Sequence, residues 1–129
     1  MITVTIKNTE ALIKDLRAAQ VDVQDEARAV LKEQSAAIRS DAQGRCPVDK
    51  GILKRSIRAT VAKKKLEATV SAGGKVGRID TYYAQFVEFG TKKAKAQPFL
   101  FPAARAHDEE TQEKLKTVMY NAIKKGAGG

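Results

Sequence analysis

The aromatic residues of this chain are concentrated in one short stretch, residues 82–104. There is no tryptophan and only 5% of the 129 residues are aromatic, yet all four phenylalanines and two of the three tyrosines lie between positions 82 and 101. Two of the three prolines, Pro98 and Pro102, lie in the same stretch. Aromatic side chains bury large areas with little loss of rotamer freedom. A chain with so few of them is therefore expected to use this stretch either in its core or at an interface.

Length and composition favour a single soluble domain over residues 1–129. The hydrophobic fraction of 43% is close to the norm for globular proteins, and a chain of this length supports one modest core. No apolar run approaches the roughly 18 residues that a membrane-spanning helix needs. The chain begins with alternating apolar and polar residues rather than a signal peptide. We therefore expect the protein to start in the cytoplasm, without membrane contact.

The sequence offers little for catalysis or metal binding. Its one cysteine, Cys46, cannot form an internal disulfide, and with the single histidine, His107, it cannot complete a structural zinc site. A catalytic thiol needs a base, but His107 lies 61 positions later in an acidic turn that should be exposed. Glu88 has no second carboxylate beside it. We expect a buried packing role for Cys46, and no enzyme activity, cofactor, metal or small-molecule substrate.

The net charge of +9 arises entirely in the middle of the chain. Between Lys50 and Lys95 there are twelve basic residues against three acidic ones, whereas the remainder is balanced. Such a surface attracts phosphate backbones or acidic proteins. The lysines could equally form a solvated face that only aids solubility. Sequence-specific nucleic-acid recognition is disfavoured, because the basic stretch lacks interleaved aromatics and any recognisable binding motif.

Periodicity predicts the elements of the first half. Apolar residues alternate over residues 2–7, which predicts a strand. A helical pattern follows, with a break near residue 20, and becomes a clear amphipathic helix from Asp25 to about Gln43. Gly44 and Pro47 are typical signals for the end of that helix.

The second half predicts a hairpin, a short helix and a long helix. The hairpin joins strands over 57–63 and 66–72, with lysines at its tip, and follows a compact loop from Cys46. Residues 72–77 are expected to be a flexible connection. A short helix ends at Gly90, and a long one has Pro102 in its first turn and ends at Gly126. This order predicts an α+β fold in which a small antiparallel sheet packs against a long N-terminal helix and a C-terminal helix.

Two motifs, taken together, carry a family resemblance over roughly residues 10–125. The first is PVDKGILKRSI at residues 47–57, and the second is YAQFVEFGT at 83–91 followed by AQPFLFPA at 96–103. The chain resembles the "gene product ten-like" group of small virion proteins of lambdoid phages. Lys50 stands where that group usually has Thr, and Phe101 where Arg is common. The residues that match its motifs are Pro47, Gly51, Tyr83, Glu88, Phe89, Gly90, Thr91, Pro98, Phe99 and Pro102.

The resemblance implies a structural role in a long-tailed phage or prophage. Such proteins are minor tail components that act in tail completion or head–tail joining, as a ring at the junction between the capsid connector and the tail. It implies a homo-oligomer, hexameric or a multiple of that, with neighbouring connector and tail proteins as partners. The protein would assemble in the host cytoplasm and end in the virion, at the neck or tail. The alternatives are a sequence-independent nucleic-acid-binding protein and an enzyme that uses Cys46.

Within this interpretation each part of the aromatic stretch has an expected role. Phe86, Phe89 and Phe99 are expected in the core, with the two prolines holding residues 99–101 extended. Phe101 and Leu100 are candidates for subunit contact. The lysine loop (Lys92, Lys93 and Lys95) is expected to face a partner, and Lys63, Lys64 and Lys65 to face DNA or an acidic partner.

Overall fold

The computed structural model describes residues 1–6, 24–47, 51–63 and 66–128. In chain order the elements are β1 (Ile2–Ile6), α1 (Gln24–Arg45), α2 (Gly51–Ser56), β2 (Arg58–Val61), β3 (Ala68–Ala72), β4 (Lys75–Val76), β5 (Ile79–Asp80), α3 (Ala84–Phe89) and α4 (Leu100–Gly128). The helical pattern predicted between the first strand and residue 20 lies outside the described residues. So do Lys50, Lys64 and Lys65.

The main sheet has three antiparallel strands in the order β1-β3-β2. Val70 of the central strand lies opposite Val4 on one side and Ala59 on the other. Along β3, Ala68, Val70 and Ala72 are fully buried, because their shared face of the sheet packs against side chains of the helices. The predicted hairpin is confirmed, and β1 joins it on the far side of β3.

The two long helices pack against each other and against this sheet. The core is formed by side chains from all of these elements, of which the largest that are fully buried include Leu31, Ile38, Leu53, Ile57, Phe99 and Leu100. Polar contacts also link the helices: the Thr111 hydroxyl lies 2.9 Å from the Gln34 side-chain oxygen in the buried interface. The predicted α+β fold, with a small antiparallel sheet and a long C-terminal helix, is confirmed.

Residues 51–56 form a short helix rather than the predicted loop. Its buried Leu53 contributes to the core, and the Ser56 hydroxyl accepts a hydrogen bond from the Gly73 N–H at 2.9 Å. Both contacts involve residues distant in sequence, so the local turn chemistry of Gly51 could not indicate them.

A second ordered element replaces the flexible connection expected over 72–77. Strands β4 and β5 form a two-stranded hairpin, and the Thr81 N–H donates to the Gly74 carbonyl at 2.7 Å. The Arg58 guanidinium, from β2, donates to the Gly73 carbonyl at 3.1 Å. The prediction was wrong because this glycine-rich stretch is ordered by contacts with other elements.

Candidate assembly surface

Helix α3 directs its aromatic side chains outward. Ala84 and Glu88, four residues apart, face the core and are 0% and 3% exposed. Phe86 and Phe89 lie on the other side of the helix and are 45% and 62% exposed. The prediction that these two phenylalanines belong to the core was therefore wrong. A helix of six residues buries only one face, and here that face carries the carboxylate.

Glu88 is buried because its carboxylate binds the beginning of helix α4. Its Oε1 accepts hydrogen bonds from the N–H groups of Phe99 at 3.2 Å and Leu100 at 2.8 Å. Its Oε2 accepts a longer one, 3.5 Å, from the N–H of Phe101. The next residue is Pro102, which has no N–H. Every N–H of the first turn is thus bonded or absent, and the negative charge is placed at the positive end of the helix dipole.

Gly90 and Thr91 shape the loop between α3 and α4. Gly90 has φ 77° and ψ 176°, so its φ is positive as expected of a glycine C-cap, although its ψ is extended rather than left-handed helical. A Cβ at this position would lie 2.7 Å from the Ala96 nitrogen. The Thr91 hydroxyl accepts hydrogen bonds from the N–H groups of Lys93 and Ala94 at 3.2 and 3.0 Å. The Gln97 N–H donates to the Val87 carbonyl at 2.8 Å, which holds the loop against α3.

What we call the aromatic surface consists of the exposed side chains of Tyr82, Phe86 and Phe89 together with the half-buried side chain of Phe101. Tyr82 is 65% exposed and contacts Tyr83 edge to face, with ring centroids 5.9 Å apart. The Phe89 ring packs against Phe101 at a centroid distance of 5.6 Å. Since Phe101 is half-buried under Phe89, it belongs to this surface.

Some of the other predicted site residues are buried and some are exposed. Phe99 is fully buried as predicted, but Leu100 is fully buried too, so a direct subunit contact through Leu100 was wrong. Helix α4 begins at Leu100, and residues 100 and 101 are therefore helical rather than extended. Pro98 is exposed and Pro47 is half-buried.

The lysine loop is fully presented to solvent. Lys92, Lys93 and Lys95 are all exposed, as is Lys63 at the end of the β2–β3 hairpin. None of the ion pairs among the described residues involves these four lysines. Their charges are therefore available to an anionic partner.

Cys46 and His107, the candidate nucleophile and base, both lie in places where they contribute to packing. Cys46 is buried, as predicted. His107 is half-buried rather than exposed, because its Nε2 lies 3.1 Å from Asp41 Oδ2 on helix α1. The Arg45 guanidinium donates to the same carboxylate at 2.8 Å and is the main reason why the pKa of Asp41 is lowered. In the described part of the chain no three His, Cys, Asp or Glu side chains are grouped to hold a metal ion.

Residues 10–90 match the model of the HK97-gp10-like family, described as "Bacteriophage HK97-gp10, putative tail-component". The match covers well over half of the chain, including the first motif and the second up to Gly90. The chain belongs to this family. Neither a curated protein nor a solved structure matches the sequence or fold of this chain.

Family membership makes this protein a structural component of a phage tail. It indicates a structural rather than an enzymatic role, with other phage structural proteins as partners and the virion as the final location. Among the described helices, none combines the length and apolarity required to cross a bilayer.

The role of Glu88 as a helix cap was missed from the sequence. A signal was present, since helix α4 has no acidic residue in its first turn. No Ser, Thr, Asp or Asn stands at positions 97–99 to serve as its N-cap either. A long helix without a local cap requires a partner for its first N–H groups from elsewhere.

Proposed function

We propose that this tail component acts in tail completion or head–tail joining, as a ring at the connector–tail junction. In this proposal the aromatic surface of one subunit contacts the next subunit or the adjoining tail ring. The observation that carries the proposal is the exposure of Phe86 and Phe89 on a helix whose other face is fixed in the core, with exposed Tyr82 two residues before that helix begins.

Exposure of these side chains supports an interface. Phe86 and Phe89 lie three residues apart on α3, so their side chains are neighbours on one face of the helix, and Tyr82 lies in the turn just before it. Contiguous apolar patches are uncommon on monomeric proteins, and Tyr and Phe are enriched in the centres of protein interfaces. Burial of these residues in an interface is favourable, because the free energy gained is proportional to the apolar area removed from water.

The rigidity of the surface supports the same conclusion. Glu88 ties α3 to the start of α4, and Gly90 and Thr91 fold the following loop back onto α3. Side chains on a preorganised element lose less conformational entropy when they bind than those on a mobile loop. Residues of the second family motif therefore hold α3 in a fixed position, with its phenylalanine side chains directed outward.

A ring would also concentrate the positive charge. In a closed cyclic oligomer, hexameric or a multiple of that, every subunit presents the same face. The lysine loop and the lysines at 63–65 would then form a basic ring that faces either the DNA passage or an acidic partner ring. Contact with DNA in such a passage would be electrostatic and independent of sequence.

The test is assembly of phage particles that carry changes in the aromatic surface. We expect the double variant Tyr82→Ser, Phe86→Ser to fold normally but to yield tails that are not joined to heads, as seen by negative-stain electron microscopy. The matched control is Tyr120→Ser, which removes an equally exposed aromatic side chain from helix α4. Intact, infectious particles from the folded double variant would contradict the proposal.

The second candidate function is sequence-independent nucleic-acid binding, which the four exposed, unpaired lysines among the described residues favour. Band-shift titrations with duplex DNA at low and moderate salt distinguish the two. A DNA-binding protein would bind with a steep loss of affinity as salt rises, whereas the joining proposal requires no binding by the isolated protein.

A further inference from the structure

Strand β2 has an open edge among the described residues. It pairs with β3 on one side only, at the end of the order β1-β3-β2. The directly opposed residues Ala62 and Glu67 are joined by a hydrogen bond, 2.9 Å from the Ala62 N–H to the Glu67 carbonyl. Bonded and non-bonded pairs alternate in antiparallel sheets. The backbone groups of Thr60 therefore point to β3, and those of Ala59 and Val61 point away from it.

The contacts of helix α1 agree with this alternation. The Arg39 Nε donates to the carbonyl of Ile57, two residues before Ala59, at 3.1 Å. A side chain of α1 thus already occupies the first outward carbonyl along this edge. Within the described part of the chain, no hydrogen bond is made to the outward backbone groups of Ala59 or Val61.

A basic groove runs between this edge and helix α1. Its volume is about 510 Å³, and its lining includes Lys32, Arg39, Arg58, Ala59 and Val61. Among the described residues that line it, none is acidic. Arg28 lies one turn before Lys32 on the same face of α1, and its buried Nε has no hydrogen-bond partner among the described atoms.

We propose that this groove binds an extended acidic segment of a partner protein, which adds to the edge of β2 as a fourth strand. The outward N–H and C=O groups at residues 59 and 61 would bond to the backbone of the segment, and the basic side chains of α1 would pair with its carboxylates. Strand addition at an open edge is a general mode of peptide recognition. The site uses no residue of the aromatic surface or the lysine loop, so it does not depend on ring formation.

The charge of the groove selects this occupant. Nucleic acid would use the cationic side chains but not the backbone donors and acceptors of a strand edge. A second copy of the chain offers β1 as the other described edge of the same sheet, and Ile2–Ile6 carries no acidic side chain. An acidic peptide complements both the backbone groups and the charges.

The test uses a labelled peptide of alternating glutamate and valine, with the lysine–valine peptide and a duplex DNA oligonucleotide as comparison probes. We expect fluorescence polarisation to show binding of the acidic peptide only, weakened as salt rises. Amide hydrogen exchange of the intact protein should show that the peptide protects Ala59 and Val61 about tenfold or more, while Thr60, already bonded to β3, changes little.

Two variants separate the backbone and charge contributions. Ala59→Pro removes one outward N–H but no bond to β3, so the peptide affinity should fall about fivefold or more. Its matched control is Thr5→Pro, on the outward side of β1. Lys32→Glu should weaken the acidic peptide about three- to tenfold and improve the lysine–valine peptide, whereas the exposed Lys116→Glu should change neither.

The proposal is overturned by any of three results. Failure of the acidic peptide to bind would leave the basic side chains with the role of protecting the edge from aggregation. Binding of DNA alone that Lys32→Glu weakens, and that charge reversal of the lysine loop leaves unchanged, would assign the groove to phosphate recognition. Self-association that Ala59→Pro abolishes, without peptide binding, would assign the edge to a second copy of the chain.

Discussion

The carboxylate of Glu88 supplies the N-cap that helix α4 lacks in its own sequence. It accepts hydrogen bonds from Phe99, Leu100 and Phe101, and Pro102 needs none. A buried charge is unfavourable unless it is fully hydrogen-bonded. Glu88 meets this condition only when α3 and the start of α4 are packed together. One residue therefore couples the two halves of the second family motif.

Replacement of Glu88 should destabilise the fold. We expect Glu88→Ala to lower the free energy of unfolding by about 2–4 kcal/mol, because it leaves buried N–H groups without an acceptor. Glu88→Gln should cost less, since the amide oxygen can still accept one of the bonds. Urea unfolding followed by circular dichroism measures both. Glu109→Ala, an exposed change on α4, is the control, and equal stability of Glu88→Ala and this control would contradict the role.

Gly90 is required both for its positive φ and for the lack of space for a Cβ, and a comparison with Gly77 separates these two effects. Its φ is 77°, and an added Cβ would lie 2.7 Å from the Ala96 nitrogen. Gly77 also has a positive φ, 60°, but open space around the Cβ position. Gly77→Ala should therefore lower the free energy of unfolding by about 1 kcal/mol from backbone strain alone. Gly90→Ala should lower it clearly more, and thermal unfolding of both variants measures the difference. Equal losses would show that the loop relaxes around the added methyl group.

At the scale of elements, the contact between helices α1 and α4 organises the molecule. It contains apolar side chains, the buried Thr111 and Gln34 pair, and a polar cluster at its side. In that cluster Asp41 accepts from Arg45 on its own helix and meets His107 on α4. Lys114 of α4 likewise meets Glu33 of α1 at 2.5 Å, and this hydrogen bond is the main reason why the pKa of Lys114 is raised.

Asp41 gives the helix pair a dependence on acid pH. Its pKa in the folded protein is lowered from the ordinary value of 3.8, chiefly by the hydrogen bond from Arg45. A carboxyl with a lowered folded pKa contributes stability above its unfolded pKa and loses that contribution as the pH falls through the folded value.

Asp41→Asn should therefore be less stable than the parent near neutral pH, and the difference should shrink below about pH 4. The effect should be small, because the pair is partly exposed to solvent. Urea midpoints between about pH 6 and about pH 3 provide the measurement, with Asp108→Asn on α4 as the control. A difference that is constant with pH would show that the charge of Asp41 does not contribute.

At the scale of the whole molecule, the apolar and basic surfaces are adjacent in sequence. Helix α3 carries Phe86 and Phe89 of the aromatic surface, and the lysine loop begins three residues after the end of this helix. The excess charge of +9 would oppose close approach of several copies unless it faced an anionic partner. An assembled ring of such subunits would therefore be stabilised by DNA or by an acidic neighbour.

Charge reversal in the lysine loop tests this dependence. The triple variant Lys92→Glu, Lys93→Glu, Lys95→Glu should retain its melting temperature within a few degrees, because all three side chains are exposed. Particle assembly or DNA retention should fall sharply, as measured by electron microscopy and by the packaged DNA content. The control reverses Lys54, Arg55 and Lys116, three exposed residues outside the loop. Normal particles with the triple variant would show that the loop is only a solvated face.

Local patterns in the sequence were sufficient for much of the fold. Alternation predicted β1 and the β2–β3 hairpin, and the 3.6-residue period predicted α1 and α4 within two residues at their described ends. Gly90 and Pro102 predicted the end of α3 and the first turn of α4. These features depend on neighbouring residues, whose spacing and backbone preferences are visible in the chain itself.

The burial of α3 could be decided only by the tertiary structure. Hydrophobicity assigned Phe86 and Phe89 to the core, and the structure buries Glu88 instead, because its hydrogen-bond partners begin 11 residues later. In the same way, α2 and the β4–β5 hairpin are ordered by contacts with distant elements. The sequence by itself determined the family and the elements with strong local patterns, namely β1, α1, the β2–β3 hairpin, α3 and α4. The tertiary structure decided which aromatic residues face outward, since the free energy of burying a charge depends on partners that no local pattern contains.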